Sequence, residues 1–176
     1  KRTIAFVPDD PSFFDHLTVS EHLQFIARLY NVEDAEERSG AILERLELAD
    51  RTDALPDELS RGMRQKLSIA MALLPRPRAL LFDEPLSGLD PAGRRKMKET
   101  IRKEAEGGTA VILSSHQLQL VEELAPRVLV LSRGKSVAMG SLDEIIGHRP
   151  ELEGRGLEDV FFALTGTGEA DEGPGS

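Results

Sequence analysis

Adjacent carboxylates close the apolar run Leu80-Leu81-Phe82-Asp83-Glu84-Pro85. An apolar strand that ends in acids delivers them to the carboxyl edge of a sheet, where open α/β folds bind ligands. An Asp placed there can hold Mg²⁺ through water, and a Glu beside it can polarise a water for attack on a terminal phosphate. His116 follows another apolar run, after Ser114-Ser115. If the two runs are neighbouring strands, their tips bring this imidazole near Glu84, where it can hydrogen-bond a γ-phosphate and orient the water. Leu59-Ser60-Arg61-Gly62-Met63 opens a helical stretch. The exposed N–H groups at such an end favour an anion, Ser60 adds a hydroxyl, and Gly62 lets the backbone approach closely. Ser87-Gly88-Leu89-Asp90 directly follows the acidic strand, and Asp9 and Asp10 lie in a Pro-bounded loop where a carboxylate can approach Mg²⁺ or a partner.

Each residue also has a plainer reading when taken alone. Asp83-Glu84 can be an acidic turn, His116 a surface or cap residue, Ser60 an ordinary helix cap, and Asp90 the cap of a helix opening at Pro91. Asp9 and Asp10 can be a solvated turn. One part of a phosphoryl-transfer site is missing outright: Gly-x-x-x-x-Gly-Lys-[Ser/Thr], the loop that cradles phosphates, occurs nowhere in the 176 residues.

Alternating strands and helices must position these groups. Thr3 to Val7 is β-rich and stops at Pro8-Asp9-Asp10-Pro11. Thr18-Val19-Ser20-Glu21 is a capping box, and Val19, Leu23, Ile26 and Tyr30 recur behind it at helical spacing. A second helix spans Asp34 to Leu48 with Ile42 and Leu46 inward. A third begins after Ser60, turns Met63, Leu67, Ala70 and Leu74 inward, and stops at Pro75-Arg76-Pro77. Ala79 to Phe82 and Thr109 to Leu113 read as short strands of a parallel sheet buried on both faces. Between them, a charged helix runs from Pro91 to about Glu104. Leu118, Val121 and Ala125 share a helical face. Arg127 to Leu131 and Lys135 to Met139 pair across Ser132-Arg133-Gly134, and short helices follow at Leu142 and from Leu157 to Leu164. The fold class is α/β with a parallel sheet. Residues of about 18–74 form a helical lobe, and the Gly-rich acidic tail 167–176 is expected to be disordered.

The composition, 40% hydrophobic and 30% charged, suits a globular chain. A formal net charge of −9 argues against a general nucleic-acid surface. The absence of cysteine removes disulfides and thiolate metal sites. No apolar run approaches the roughly 18 residues of a membrane span, and Lys1 to Val7 is too short for a signal peptide and begins as a strand already under way.

Taken in order, these motifs resemble the nucleotide-binding domain of ATP-binding cassette (ABC) ATPases, over nearly the whole chain to about Gly166. Leu59 to Met63 with Arg64-Gln65-Lys66 is similar to the family's signature motif and helix. Leu80 to Pro85 resembles its Walker B motif with the catalytic Glu. Ser87-Gly88-Leu89-Asp90 resembles the D-loop, Ser114-Ser115-His116 the switch-histidine loop, and Val7-Pro8-Asp9 stands where the Q-loop would be. Leu157-Glu158-Asp159-Val160-Phe161 resembles the closing segment of cassettes that serve bacterial exporters. The resemblance implies a P-loop NTPase-like core, residues 1–166, that lacks its N-terminal part with the Walker A and adenine-stacking loops. It implies an ATPase that uses ATP and Mg²⁺ and is inactive as this chain alone. Glu84 and His116 would be catalytic, and Asp83 would be the metal ligand. Ser60, Gly62, Asp83, Asp90 and Asp9 would bind nucleotide or cofactor, with Ser60 and Gly62 reaching ATP held by the opposite subunit. The implied partners are a second cassette, as homo- or heterodimer, and a transmembrane permease, with no nucleic acid. The implied place is the cytoplasm, on the inner face of the membrane through that permease.

The chain departs from the family pattern in its missing phosphate loop, in Asp9 where Gln is usual, and in Arg61 and Met63 where the signature has Gly and Gln. Three functions fit: the ATPase subunit of an exporter, a degenerate cassette that offers its signature face to a complete partner, or a soluble ABC-type ATPase acting on DNA or ribosomes. The last usually carries coiled-coil insertions or paired cassettes, and neither is visible here.

Overall fold

The computed structural model describes residues 4–147, 152 and 154–166. Its chain divides into compact units of residues 1–114 and 115–176. The expected tail at 167–176 lies outside the described residues, as does Thr3 at the start of the first strand.

The first unit is built on strands β1 (Ile4–Val7), β2 (Ala79–Asp83) and β3 (Ala110–Ser114), all parallel, in the order β1-β2-β3. Parallel neighbours need long crossovers. The first crossover is the helical block α1 (Val19–Tyr30), α2 (Ala35–Arg45) and α3 (Arg61–Leu73), with short 3₁₀ turns between α2 and α3; the second is α4 (Pro91–Glu106). The register sets Phe6, Leu81 and Ile112 abreast, and likewise Val7, Phe82 and Leu113. Val7, Leu80 and Phe82 are buried, whereas Ile4, Phe6 and Ile112 are 60–65% exposed. The expectation of cover on both faces therefore fails for β3, where Ile112 is exposed, and is only half met for β2, whose Leu81 is half-buried. Helices α3, packed on β1, and α4, packed on β3, do not cover that side.

Local chemistry sets the helix ends. Thr18 and Glu21 form the reciprocal box: the Thr18 N–H donates to Glu21 Oε2 at 2.8 Å and the Glu21 N–H to Thr18 Oγ1 at 3.2 Å. Helix α2 was expected to reach Leu48 but ends at Arg45. Glu47 turns left-handed (φ 57°) and the Leu48 N–H closes back on the Leu43 carbonyl at 2.9 Å. That reversal buries both Leu46 and Leu48. Along α3, Leu67, Ile69, Ala70 and Leu73 are buried, while the expected inward Met63 is half-exposed.

In the second unit, β4 (Val128–Ser132) pairs antiparallel with β5 (Lys135–Gly140) across a turn in which Arg133 and Gly134 both have positive φ. Helices α5 (Leu118–Leu124), α6 (Leu142–Ile146) and α7 (Leu157–Thr165) complete it. Its small core gathers Ile145, Leu152 and Val160 with Val128, Ala138 and Leu164. On α5 the buried residue is Leu120, flanked by the expected Leu118 and Val121, which are only half-buried.

Candidate functional site

The site begins at the carboxyl end of β2. The parallel register places Asp83 beside Ser114, the last residue of β3. The Ser114 hydroxyl donates to Asp83 Oδ1 at 2.6 Å, a short charge-assisted bond that holds the carboxylate at the sheet edge. The expectation that the acidic strand and the strand before His116 are neighbours is thus met. Glu84 then leaves the strand with φ 47°. A β-substituted residue in that left-handed region is strained, and the backbone holds it on both sides. The Glu84 N–H donates to the Ser114 carbonyl and the Glu84 carbonyl accepts from the Ser87 N–H, both at 3.0 Å. The sharp turn that follows carries Gly88 at φ 71° and ends at Asp90, which caps α4 by accepting the Gly93 N–H at 3.0 Å. His116 stands two residues beyond Ser114, exposed, where the chain enters the second unit.

The head of α3 lies against this turn. Ser60 caps the helix, its Oγ accepting the Met63 N–H at 3.2 Å, and remains exposed. A Cβ on Gly62 would meet the Gly88 carbonyl oxygen at 3.1 Å and Leu89 Cδ2 at 3.2 Å. Gly62 therefore has a packing role that the sequence did not announce. Arg61 reaches across with one terminal nitrogen, 3.1 Å from Asp9 Oδ1 and 2.9 Å from Ser87 Oγ. One turn later, buried Gln65 donates from Nε2 to the Pro8 carbonyl at 3.2 Å.

The far end of α3 is held by Arg38, whose Nε and NH2 donate to the Leu74 and Leu73 carbonyls, each at 2.8 Å. Burial, reinforced by the nearby Arg76 charge, holds the Arg38 pKa below the ordinary guanidinium value. Sequence reasoning missed these supports. Ser114 and Gln65 were visible only as parts of motifs, and Arg38 was not singled out at all.

Relatives place this geometry in a family. The chain is 32% identical over 162 residues to the uncharacterized ABC transporter ATP-binding protein YthP of Bacillus subtilis, covering 91% of this chain and 68% of YthP. The chain belongs to the ABC transporter ATP-binding family. An ABC transporter family model matches residues 1–87. The linearmycin resistance ATP-binding protein LnrL of Bacillus subtilis is 31% identical, over 82% of this chain and 47% of LnrL. A solved structure of the ATP-binding subunit of an ABC transporter superposes with a TM-score of 0.87 at 32% identity, covering 93% of this chain and 68% of that one. The ABC chain described here thus spans about two thirds of YthP and about half of LnrL, and its mixed α/β fold with a parallel sheet is that of the ABC subunit.

Magnesium is the metal that ABC chemistry implies, and the donor set can be tested against it. Among the described residues no group of three or more His, Cys, Asp or Glu gathers into a ready cage. Mg²⁺ does not need one, because it keeps several waters and is bound through one or two carboxylates plus substrate phosphates. Asp83, fixed by Ser114 at the strand tip, fits that mode.

Proposed function

We propose that this chain is the ATP-hydrolysing part of an ABC transporter subunit that works in export. The observation that carries the reading is the tip of β2. There Asp83 is held by Ser114, and Glu84 follows in a strained turn pinned to β3. Strain at a residue that local structure over-determines points to function.

In this reading Asp83 would hold Mg²⁺, which would offset charge on the phosphates. Glu84 takes a proton from the attacking water, and His116 donates a hydrogen bond to the terminal phosphate. Ser60 and Gly62 present the positive end of α3 to ATP held by a second cassette. Asp90 orders the turn beside that interface by capping α4. Asp9 stands in the loop between nucleotide and membrane partner, as a carboxylate on the Mg²⁺ side. In this reading residues 1–166 belong to a partial ABC ATPase domain, with about 18–74 as its helical lobe.

That lobe would meet the permease. Phe14, Phe25, Leu29 and Tyr30 are exposed on or beside α1, and Phe14 and Phe25 stack edge-to-face at 5.2 Å. Such a patch suits a partner surface. No helix among the described residues is long and apolar enough to cross a membrane, so a permease would supply the channel and hold the subunit at the inner face. A resistance function in LnrL supports export over import. The negative charge continues to favour partners other than nucleic acid.

A second reading is a degenerate cassette that contributes only its signature face to a complete partner. Turnover separates the two. The 176-residue chain alone should bind MgATP weakly and hydrolyse essentially none; steady turnover by it would refute the need for a phosphate loop. In a form of the protein that carries such a loop, hydrolysis is expected, and Glu84→Gln should abolish it while ATP binding persists. A loop-bearing form that binds ATP and never hydrolyses it would establish the degenerate reading instead.

A further inference from the structure

Asp9 and Arg61 looked like separate departures from the family pattern, yet they face each other. The Arg61 NH2 lies 3.1 and 3.4 Å from the two Asp9 carboxylate oxygens and 2.9 Å from Ser87 Oγ. Its aliphatic stem crosses Gly88 so closely that a Cβ there would stand 2.8 Å from Arg61 Cδ. Gln65, four residues on and therefore on the same face of α3, is 1% exposed and holds the Pro8 carbonyl at 3.2 Å. Successive turns of one helix thus grip the loop after β1, and the first also grips the turn after β2.

We propose that Arg61 is a positioning residue that clamps the Asp9 loop, the head of α3 and the Ser87-Gly88 turn into one unit, so that a displacement of any one is passed to the others. The functional meaning rests on the reading of Ser60 and Gly62 above; the clamp itself does not. A guanidinium shared between a carboxylate and a hydroxyl couples segments far apart in sequence without any covalent link. The pair is solvent-exposed, with side-chain exposures of 56% and 38%, so it acts on local opening and is weakened by salt.

Hydrogen–deuterium exchange on the 176-residue chain, without nucleotide, tests this independently of ATP chemistry. In Arg61→Met, which keeps the stem over Gly88 and removes the charge, the hydrogen-bonded amides of Phe14 and Leu17 in the loop after β1 and those of 86–90 should exchange about two- to fivefold faster together. Asp9→Asn should reproduce the effect in both segments, and the double variant should add nothing further. Arg61→Lys should restore most of the protection, because every polar contact comes from one terminal nitrogen. Raising the salt to about 1 M should shrink the wild-type protection towards the Met variant. Loosening confined to one segment, additive single effects, or a Lys variant indistinguishable from Met would each overturn the clamp. A loop-bearing form that proves inert towards ATP would sink the functional reading and leave these exchange patterns standing.

Discussion

Ser114 does more for the acidic tip than its place in a motif indicates. Its hydroxyl donates the 2.6 Å bond to Asp83 and its carbonyl receives the Glu84 N–H. Ser114→Ala removes only the first contact. It should cost about 1 kcal/mol in chemical denaturation and, in a loop-bearing form, weaken the Mg²⁺ dependence of ATP binding more than binding itself. His22 is the other residue with unexpected weight. It is fully buried, with Nδ1 2.8 Å from the Thr18 carbonyl and Nε2 accepting the Phe14 N–H at 3.0 Å. That pattern fixes the Nδ1–H tautomer. His22→Leu conserves bulk but strands the Phe14 N–H, while the Thr18 carbonyl keeps its bond from the backbone N–H of residue 22, so a loss of about 1–3 kcal/mol in urea denaturation is expected. A loss under about 0.5 kcal/mol would show that water replaces the ring without cost.

Helix α3 is the element on which the candidate site depends, because its head carries Ser60, Arg61 and Gly62 and its tail is capped by Arg38 from α2. Arg38→Met keeps the apolar stem and removes both bonds to the last carbonyls. The expected cost is about 1–3 kcal/mol, read as a lower urea midpoint with an unchanged slope. At the start of α1, Thr18→Ala should cost about 1 kcal/mol by removing the reciprocal cap. Helix starts were legible from Thr18, Ser60, Asp90 and Ser141, since capping chemistry is written within four residues. The end of α2 was not, because Glu47 adopts a left-handed backbone only to let Leu46 and Leu48 reach the core.

At the scale of the whole molecule, the first unit's sheet is asymmetric. Leu80 on its covered face is fully buried, whereas Phe6 on the other is 60% exposed. Leu80→Ala should therefore cost about 2–5 kcal/mol, and Phe6→Ala less than about 1 kcal/mol; equal losses in thermal melts would contradict the observed burial. The run of apolar types in β2 and β3 could not reveal this difference, because residue type reports what a position tolerates and not what lies over it. By itself the sequence determined the alternation of strands and helices, the caps, and the acid pair at a strand's end. Those features arise from interactions a few residues long and from periodicity. Only the tertiary structure decided that Ser114 holds Asp83, that Glu84 is strained, that Arg38 caps α3, and that Arg61 meets Asp9 across 52 positions of chain. These contacts join segments that no local pattern relates, and they exist only once parallel pairing has brought the strand tips and the head of α3 together.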